Sequence, residues 1–200
     1  MKVLLIDYGT SNINSIYNSL KKMKKIQIFI NNFKIKKYDK IIFPGQGHIK
    51  SSMDFILNKE NIFEYIKNTH ILGICIGYHI FFNKSEEDIF SNCLGIFKEN
   101  ISLLTNNCCF NTYSPNIGWN NVEVIKNHKI LSKIPGVFLQ YFMHSYSSIF
   151  KKQNYVYAIS KFNNKIFNSI IIEENKFLFQ FHPEKGGYYG YQIIENFLKL

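Results

Sequence analysis

Arginine is absent from this 200-residue chain, and all 24 of its basic residues are lysines. Against 14 acids they leave a formal charge of +10. Such a balance invites a nucleic-acid reading, but bidentate forks onto guanine and phosphate are arginine's work. No base-reading motif is present either. Abundant Lys, Asn, Ile, Phe and Tyr are more simply what an AT-rich genome encodes, so no nucleic-acid partner is expected. The chain also lacks any apolar run near the ~18–20 residues of a membrane-spanning helix. Its start, Met1-Lys-Val-Leu-Leu-Ile-Asp7, reads as a strand and a turn, not as a signal peptide. No membrane contact is expected, and the chain is placed in the cytoplasm. The four cysteines, Cys75, Cys93, Cys108 and Cys109, include no C-x-x-C pair. Neither a disulfide framework nor a zinc site is indicated, and no metal or other cofactor is expected. Internal repeats, linkers rich in Pro, Gly or Ser, and low-complexity blocks are missing too. Residues 1–200 therefore read as one domain.

What is present is ordinary globular material, 46% hydrophobic and 19% charged. Val3–Asp7 is a short apolar run that ends in a turn. Ile13, Ile16, Tyr17 and Leu20 follow at helical spacing, with Ser11 or Asn12 as N-cap. Strands are expected over Ile26–Ile30, Lys40–Phe43 and Ile71–Cys75, a helical stretch over Met53–Lys67, and a helix beginning at Tyr78–Asn83. The second half is richer in strands, at about 101–104, 119–125, 137–142, 155–160, 166–172 and 176–181. Tyr188–Leu200 closes the chain as an amphipathic helix. The expected class is α/β, with a central mixed sheet flanked by helices. Residues 1–40 hold nine lysines and two acids, a net +7. Lys21, Lys22, Lys24 and Lys25 suit the negative end of the first helix, and Lys34, Lys36 and Lys37 a solvated connection.

The chemistry-bearing segment is His70-Ile-Leu-Gly-Ile-Cys-Ile-Gly-Tyr-His79. An apolar strand runs into Gly73-Ile74-Cys75-Ile76-Gly77 and a helix follows. This is the G-x-nucleophile-x-G elbow with cysteine in place of serine. The glycines allow close backbone approach, the helix start favours a thiolate, and the Ile76 N–H faces a developing oxyanion. The bland reading is a structural cysteine between packing glycines.

A cysteine nucleophile needs a histidine to move its proton and a third group to orient that histidine. His182 stands out in Phe179-Gln-Phe-His-Pro-Glu184, at a strand end. Pro183 biases His182 to extended geometry, so Glu184 at i+2 projects to the same side. The carboxylate either contacts the imidazole or holds its tautomer from nearby. His48, His70 and His128 read as surface residues. His144 reads as a buried, hydrogen-bonded histidine or as an active-site wall. Pro44-Gly45-Gln46-Gly47 follows a strand and can present backbone N–H groups, although it is no phosphate-binding P-loop. Beside an elbow cysteine and a strand-end His-x-Glu, it becomes a second oxyanion donor.

Gly73-Ile-Cys-Ile-Gly77 and Gln180-Phe-His-Pro-Glu184, in that order, resemble the class I glutamine amidotransferases. Asp7-Tyr-Gly-x-x-Asn12, Pro44-Gly-x-Gly47, Gly118-Trp-Asn120, Tyr141-Phe-x-His-Ser-Tyr146 and His182-Pro-Glu-Lys185 narrow the resemblance. They are similar to the glutaminase subunits of imidazole glycerol phosphate synthase, essentially from end to end. The resemblance implies the single-domain amidotransferase fold and hydrolysis of L-glutamine to glutamate and ammonia through a thioester. It assigns Cys75, His182 and Glu184 as the triad, and Ile76 with the Gly45–Gly47 loop as oxyanion donors. Glu87, Ser145, Tyr146, Gln46 and His79 then lie at the glutamine pocket. Trp119, Asn120, Tyr141 and Lys185 match positions that face a (β/α)8-barrel cyclase subunit, the heterodimer partner that receives the ammonia.

Four positions depart from the family's usual residues. Ser11 stands for Gly, Gln46 for a small apolar residue, His79 for Gln and Gly186 for Ser. They are drift in a biased genome, or they mark a paralogue feeding ammonia to surface-polysaccharide sugar synthesis. A subunit without glutaminase activity and a cysteine peptidase of related fold are the further alternatives. Only Lys185, beside the triad, gives any part of the lysine excess a functional claim.

Overall fold

The computed structural model describes residues 1–9, 13–35, 37–59, 62–88, 91–104, 115–149 and 154–200. The first half alternates: β1 (Lys2–Leu5), α1 (Asn14–Lys21), β2 (Gln27–Ile30), β3 (Lys40–Phe43), α2 (Ile49–Leu57), α3 (Ile62–Asn68), β4 (His70–Ile74) and α4 (Ile76–His79). Short strands β5 (Lys84–Ser85) and β6 (Ser91–Asn92) lead to β7 (Asn100–Leu103), β8 (Asn116–Val124), β9 (Val137–His144) and β10 (Tyr146–Ser147). β11 (Val156–Phe162), β12 (Lys165–Glu173), β13 (Lys176–Phe179) and the C-terminal helix α5 (Gly187–Lys199) complete the chain.

Nine strands form one sheet in the order β2-β1-β3-β4-β13-β12-β11-β8-β9. The first five run parallel, and from β12 onward the pairing is antiparallel. The inner parallel strands β3 and β4 are buried on both faces, as their apolar runs Ile41–Phe43 and Ile71–Ile74 require, whereas the edge strand β2 is partly exposed. Leu5, Ile42, Leu72 and Ile74 pack with Ile16 and Leu20 of α1 and with Ile193, Ile194 and Phe197 of α5. On the opposite face Leu4, Ile41, Phe43 and Ile71 meet Met53 and Ile56 of α2 and Ile62, Tyr65 and Ile66 of α3. Helices thus cover both faces of the parallel half, the arrangement that alternating strands and helices lead to.

Several expectations are corrected. The helical stretch over Met53–Lys67 is two helices, Ile49–Leu57 and Ile62–Asn68. The helix placed at Tyr78–Asn83 is the single turn Ile76–His79, followed by turns. Three two-residue strands at 84–85, 91–92 and 146–147 have no sequence signal, because two residues carry no periodicity. The caps Ser11 and Asn12 lie outside the described residues, as do Cys108, Cys109 and Lys36. His48 is exposed, but His70 and His128 are half-buried, each with its ring against Phe177. Lys21, Lys22, Lys24, Lys25, Lys34 and Lys37 are exposed, as a solvated helix end and loop demand. Among the described residues, no helix is long and apolar enough to cross a membrane.

The antiparallel half leaves an apolar face uncovered. Register pairs Trp119 with Tyr141, Asn121 with Leu139 and Glu123 with Val137. Alternation puts Ile117, Trp119, Val137 and Leu139 on the same side, each more than half exposed.

Asn175, in the β12–β13 turn, donates from Nδ2 to the carbonyls of Ile66, Lys67 and Thr69 at 3.1, 3.3 and 2.6 Å. These are otherwise orphan acceptors at the end of α3. Asn175→Ala is expected to destabilise the fold by about 1–3 kcal/mol, a fall in Tm of roughly 3–10 °C by calorimetry.

Candidate active site

The site lies at the carboxyl ends of the parallel strands β3, β4 and β13. β4 delivers Cys75 at φ 48°, ψ −103°, left-handed backbone that a side-chain-bearing residue rarely adopts. Its N–H donates to the Phe179 carbonyl of β13 at 2.8 Å. Its own carbonyl accepts from the N–H groups of Tyr78 and His79 at 2.9 and 3.1 Å, opening α4. The two flanking glycines are required by contact, not by φ. A Cβ on Gly77 would fall inside the Phe43 carbonyl of β3, and one on Gly73 inside the Gly77 carbonyl. The Ile76 N–H is in the first turn of α4, where helix donors lack intrahelical acceptors.

His182 follows β13 and is fully buried. Its backbone N–H donates to the Tyr141 carbonyl of β9 at 2.8 Å. Its Nδ1 lies 2.8 Å from Glu184 Oε1, so the carboxylate holds the imidazole directly. His182 has the expected extended backbone, φ −101° and ψ 90°, and the tight 3-10 turn that follows over Pro183–Lys185 brings Glu184 back onto the ring. Burial opposes a charged imidazole here. The negative charge that Cys75 can carry, and then Glu184, outweigh it and raise the His182 pKa to about 10. Gly45 makes room for this ring, since a Cβ there would lie 2.7 Å from His182 Cε1 and 2.8 Å from Ile74 Cγ2.

Beside Cys75 opens a cavity of about 270 Å³. That is below the roughly 300–1,000 Å³ of drug-sized sites and matches a ligand of amino-acid size. Gly45, Gln46, Gly47, Cys75, Ile76, His79, Glu87, Ser145 and Tyr146 all line it. Residues scattered over a hundred positions are thereby brought to one wall. Met143 and His144 line it too. Sequence reasoning did not reach Met143; its signal is the i+2 spacing from Tyr141 along β9. His144 is both alternatives at once, a buried hydrogen-bonded histidine and a wall. Its Nδ1 donates to the Tyr146 carbonyl at 2.9 Å and its Nε2 accepts from Asn116 Nδ2 at 3.2 Å.

Trp119 and Tyr141 meet edge to face at 6.1 Å, and Lys185 Nζ lies 5.4 Å above the Tyr141 ring. Asn120 does not join them. Strand alternation turns it the other way, where Nδ2 donates to the Lys161 carbonyl at 2.9 Å. Of the unusual residues, Gly186 has a local cause: a Cβ there would collide with the Gln140 amide, whose Nε2 donates to the Gly186 carbonyl at 3.2 Å. His79 sits with Nε2 3.0 Å from Gln180 Oε1 and Nδ1 3.7 Å from Glu87 Oε2. Gln46 is half-buried at the cavity edge, and Ser11 lies outside the described residues.

Fold and site together define a class: α/β proteins with a cysteine on a strand-to-helix elbow and a His–Glu pair at the neighbouring strand end. The chain belongs to the class I glutamine amidotransferase family, whose sequence profile matches residues 4–200. It is similar over its whole length to proteins named imidazole glycerol phosphate synthase subunit HisH. That of Pelagibacter ubique is 35% identical, with 100% of both chains covered. That of Buchnera aphidicola is 36% identical, again over 100% of both. That of Methanocaldococcus jannaschii is 34% identical over 98% of each. Among solved structures, PurLQS from Thermotoga maritima superposes with a TM-score of 0.71 at 18% identity, covering 99% of this chain and 97% of that one. A structure described as glutamine amidotransferase gives 0.69 at 12% identity, over 98% and 97%. At such identities these two speak for the fold alone.

His144 generates a pH prediction. Burial, then the neighbouring His79, lower its pKa from 6.5 to about 3. Between those values the unfolded chain binds a proton that the folded one refuses. This group therefore makes stability rise with pH across that window and fall as acid is added. The expected slope is about 1.4 kcal/mol per pH unit below 6.5, read from urea unfolding at several pH values. His144→Gln should remove about one proton from that dependence.

Proposed function

We propose that this chain is the glutaminase subunit of an imidazole glycerol phosphate synthase, working as one amidotransferase domain in histidine biosynthesis. The observation that carries the reading is the elbow Cys75 beside the buried His182–Glu184 pair, at the wall of an amino-acid-sized cavity. His182 Nε2 takes the thiol proton of Cys75, and the resulting Sγ thiolate attacks the side-chain amide carbon of L-glutamine. The carbonyl oxygen takes up the electron pair, and the Ile76 N–H and the Gly45–Gly47 backbone hold the oxyanion. His182 gives its proton to the amide nitrogen, so the C–N bond breaks and ammonia leaves, with a thioester behind it. His182, now neutral, takes a proton from water as the water adds to the thioester. Collapse expels the Cys75 sulfur, and glutamate departs. Glu184 holds the imidazole through Nδ1 and leaves Nε2 for these transfers. Glu87, His79 and Tyr146 sit where the amino-acid end of glutamine would lie.

The ammonia passes to a (β/α)8-barrel cyclase subunit, which makes imidazole glycerol phosphate and the aminoimidazole carboxamide ribotide. The exposed Ile117–Trp119–Leu139 face, with Tyr141 and Lys185 at the edge nearest His182, is the surface for that heterodimer. Full-length similarity to HisH proteins supports the histidine-pathway acceptor over a polysaccharide sugar. In this reading the protein works in the cytoplasm, without nucleic acid, membrane or cofactor.

Cys75→Ala should lower glutamine hydrolysis by roughly 10⁴-fold or more while the complex with the barrel subunit still forms in gel filtration. Unchanged glutaminase activity in that variant would refute the assignment. The isolated chain should be slow, and addition of the cyclase subunit with its ribulosyl intermediate should raise the rate by at least about tenfold, roughly 1.4 kcal/mol in the barrier. A chain that is fully active alone and indifferent to the cyclase is no such subunit.

A further inference from the structure

Gln180 stands two residues before His182 and is fully buried. Its backbone N–H is tied to the Ser169 carbonyl at 3.0 Å. Its side-chain oxygen accepts from Ser147 Oγ at 2.9 Å and lies 3.0 Å from His79 Nε2. An amide oxygen only accepts, so His79 is the donor in that pair. In this orientation Ser147 and His79 both donate to Oε1, and Nε2 points at Cys75, 3.9 Å from Sγ.

The same sulfur lies 3.7 Å from the Met143 carbonyl oxygen. These two contacts favour opposite forms of the side chain. The Met143 carbonyl accepts from a thiol S–H and repels a thiolate. The Gln180 N–H has nothing to offer the thiol's proton but stabilises negative sulfur, as donors to charged acceptors do. Gln180 thus faces the reacting atom in the two states where sulfur carries charge, before attack and on leaving the thioester.

We infer that Gln180 is a further catalytic residue, an amide donor to the Cys75 thiolate held in orientation by Ser147 and His79. The inference rests on Cys75 being the nucleophile. It also gives the uncommon His79 a role, because its Nε2–H anchors the amide that serves the sulfur. A change in the pocket wall then reaches the nucleophile through one side chain.

The test reads Cys75 directly, without glutamine. Full-length chain is treated with iodoacetamide at pH 8, and labelling of the Cys75 peptide is followed by mass spectrometry. Gln180→Met removes the donor facing the sulfur without placing a charge beside it. Cys75 labelling should slow by about tenfold, and kcat should fall more than KM rises. If the folded variant, checked by circular dichroism, labels at the wild-type rate, the inference is overturned, because a purely structural amide would leave thiol reactivity unmoved. Where Gln180→Met does not fold, Ser147→Ala decides. Freeing one anchor of the amide should slow labelling severalfold, and an unchanged rate overturns the inference. Failure of the parent reading has a different signature, glutaminase activity persisting in Cys75→Ala.

Discussion

The structure depends on a strained backbone at one residue. Cys75 holds φ 48°, a conformation costing of order 1–3 kcal/mol that must be imposed by its surroundings. Three contacts impose it. The Cys75 N–H is bonded to β13, Gly77 lies against the Phe43 carbonyl of β3, and Gly73 lies under Gly77. β4 can reach both neighbours because it sits between β3 and β13, hydrogen-bonded to each. Hydrophobic burial on both sheet faces fixes these strands, and the fixed strands hold the elbow.

The change from parallel to antiparallel pairing then builds the rest of the site. The parallel half supplies the elbow and the strand-end histidine, the places where open α/β sheets put their chemistry. The antiparallel half supplies a wall. β9 is at the far edge of the sheet, four strands beyond β13 in order, yet the Tyr141 carbonyl accepts from the His182 N–H. The sheet must therefore curl back until its edge strand lies over the end of β13, in the sense that strand twist accumulates. β9 consequently serves two environments. Met143 and His144 line the cavity, while Val137 and Leu139 lie exposed with Ile117 and Trp119.

Much was legible along the chain because the relevant signals are local. The apolar runs at Lys40–Phe43 and His70–Ile74, the alternation of β8 and β9, and the stripe of α5 are each set by a few neighbouring residues. The elbow and the His-Pro-Glu segment are equally local, since both are turns whose geometry the glycines and the proline restrict. The failures were of another kind. The break between α2 and α3 falls at Asn58-Lys-Glu-Asn61, where no glycine or proline marks it. The reach of Asn175 to α3 spans more than a hundred residues. Asn120 is next to Trp119 in sequence but on the opposite face, and Gly186 lies against the end of the Gln140 side chain, 46 residues away.

A family resemblance pointed to the cavity segments 45–47, 75–87 and 145–146; by itself the sequence determined the α/β class and the candidate nucleophile with its candidate histidine and carboxylate. These follow from residue type and short spacing, which act before the chain is folded. Only the tertiary structure decided the side chains' partners: His182 on Glu184 through a 3-10 turn, His79 on Gln180, and Gln180 on Cys75. Hydrogen bonds act over about 3 Å, and no spacing along a chain says which distant atoms the packed sheet will bring within that distance.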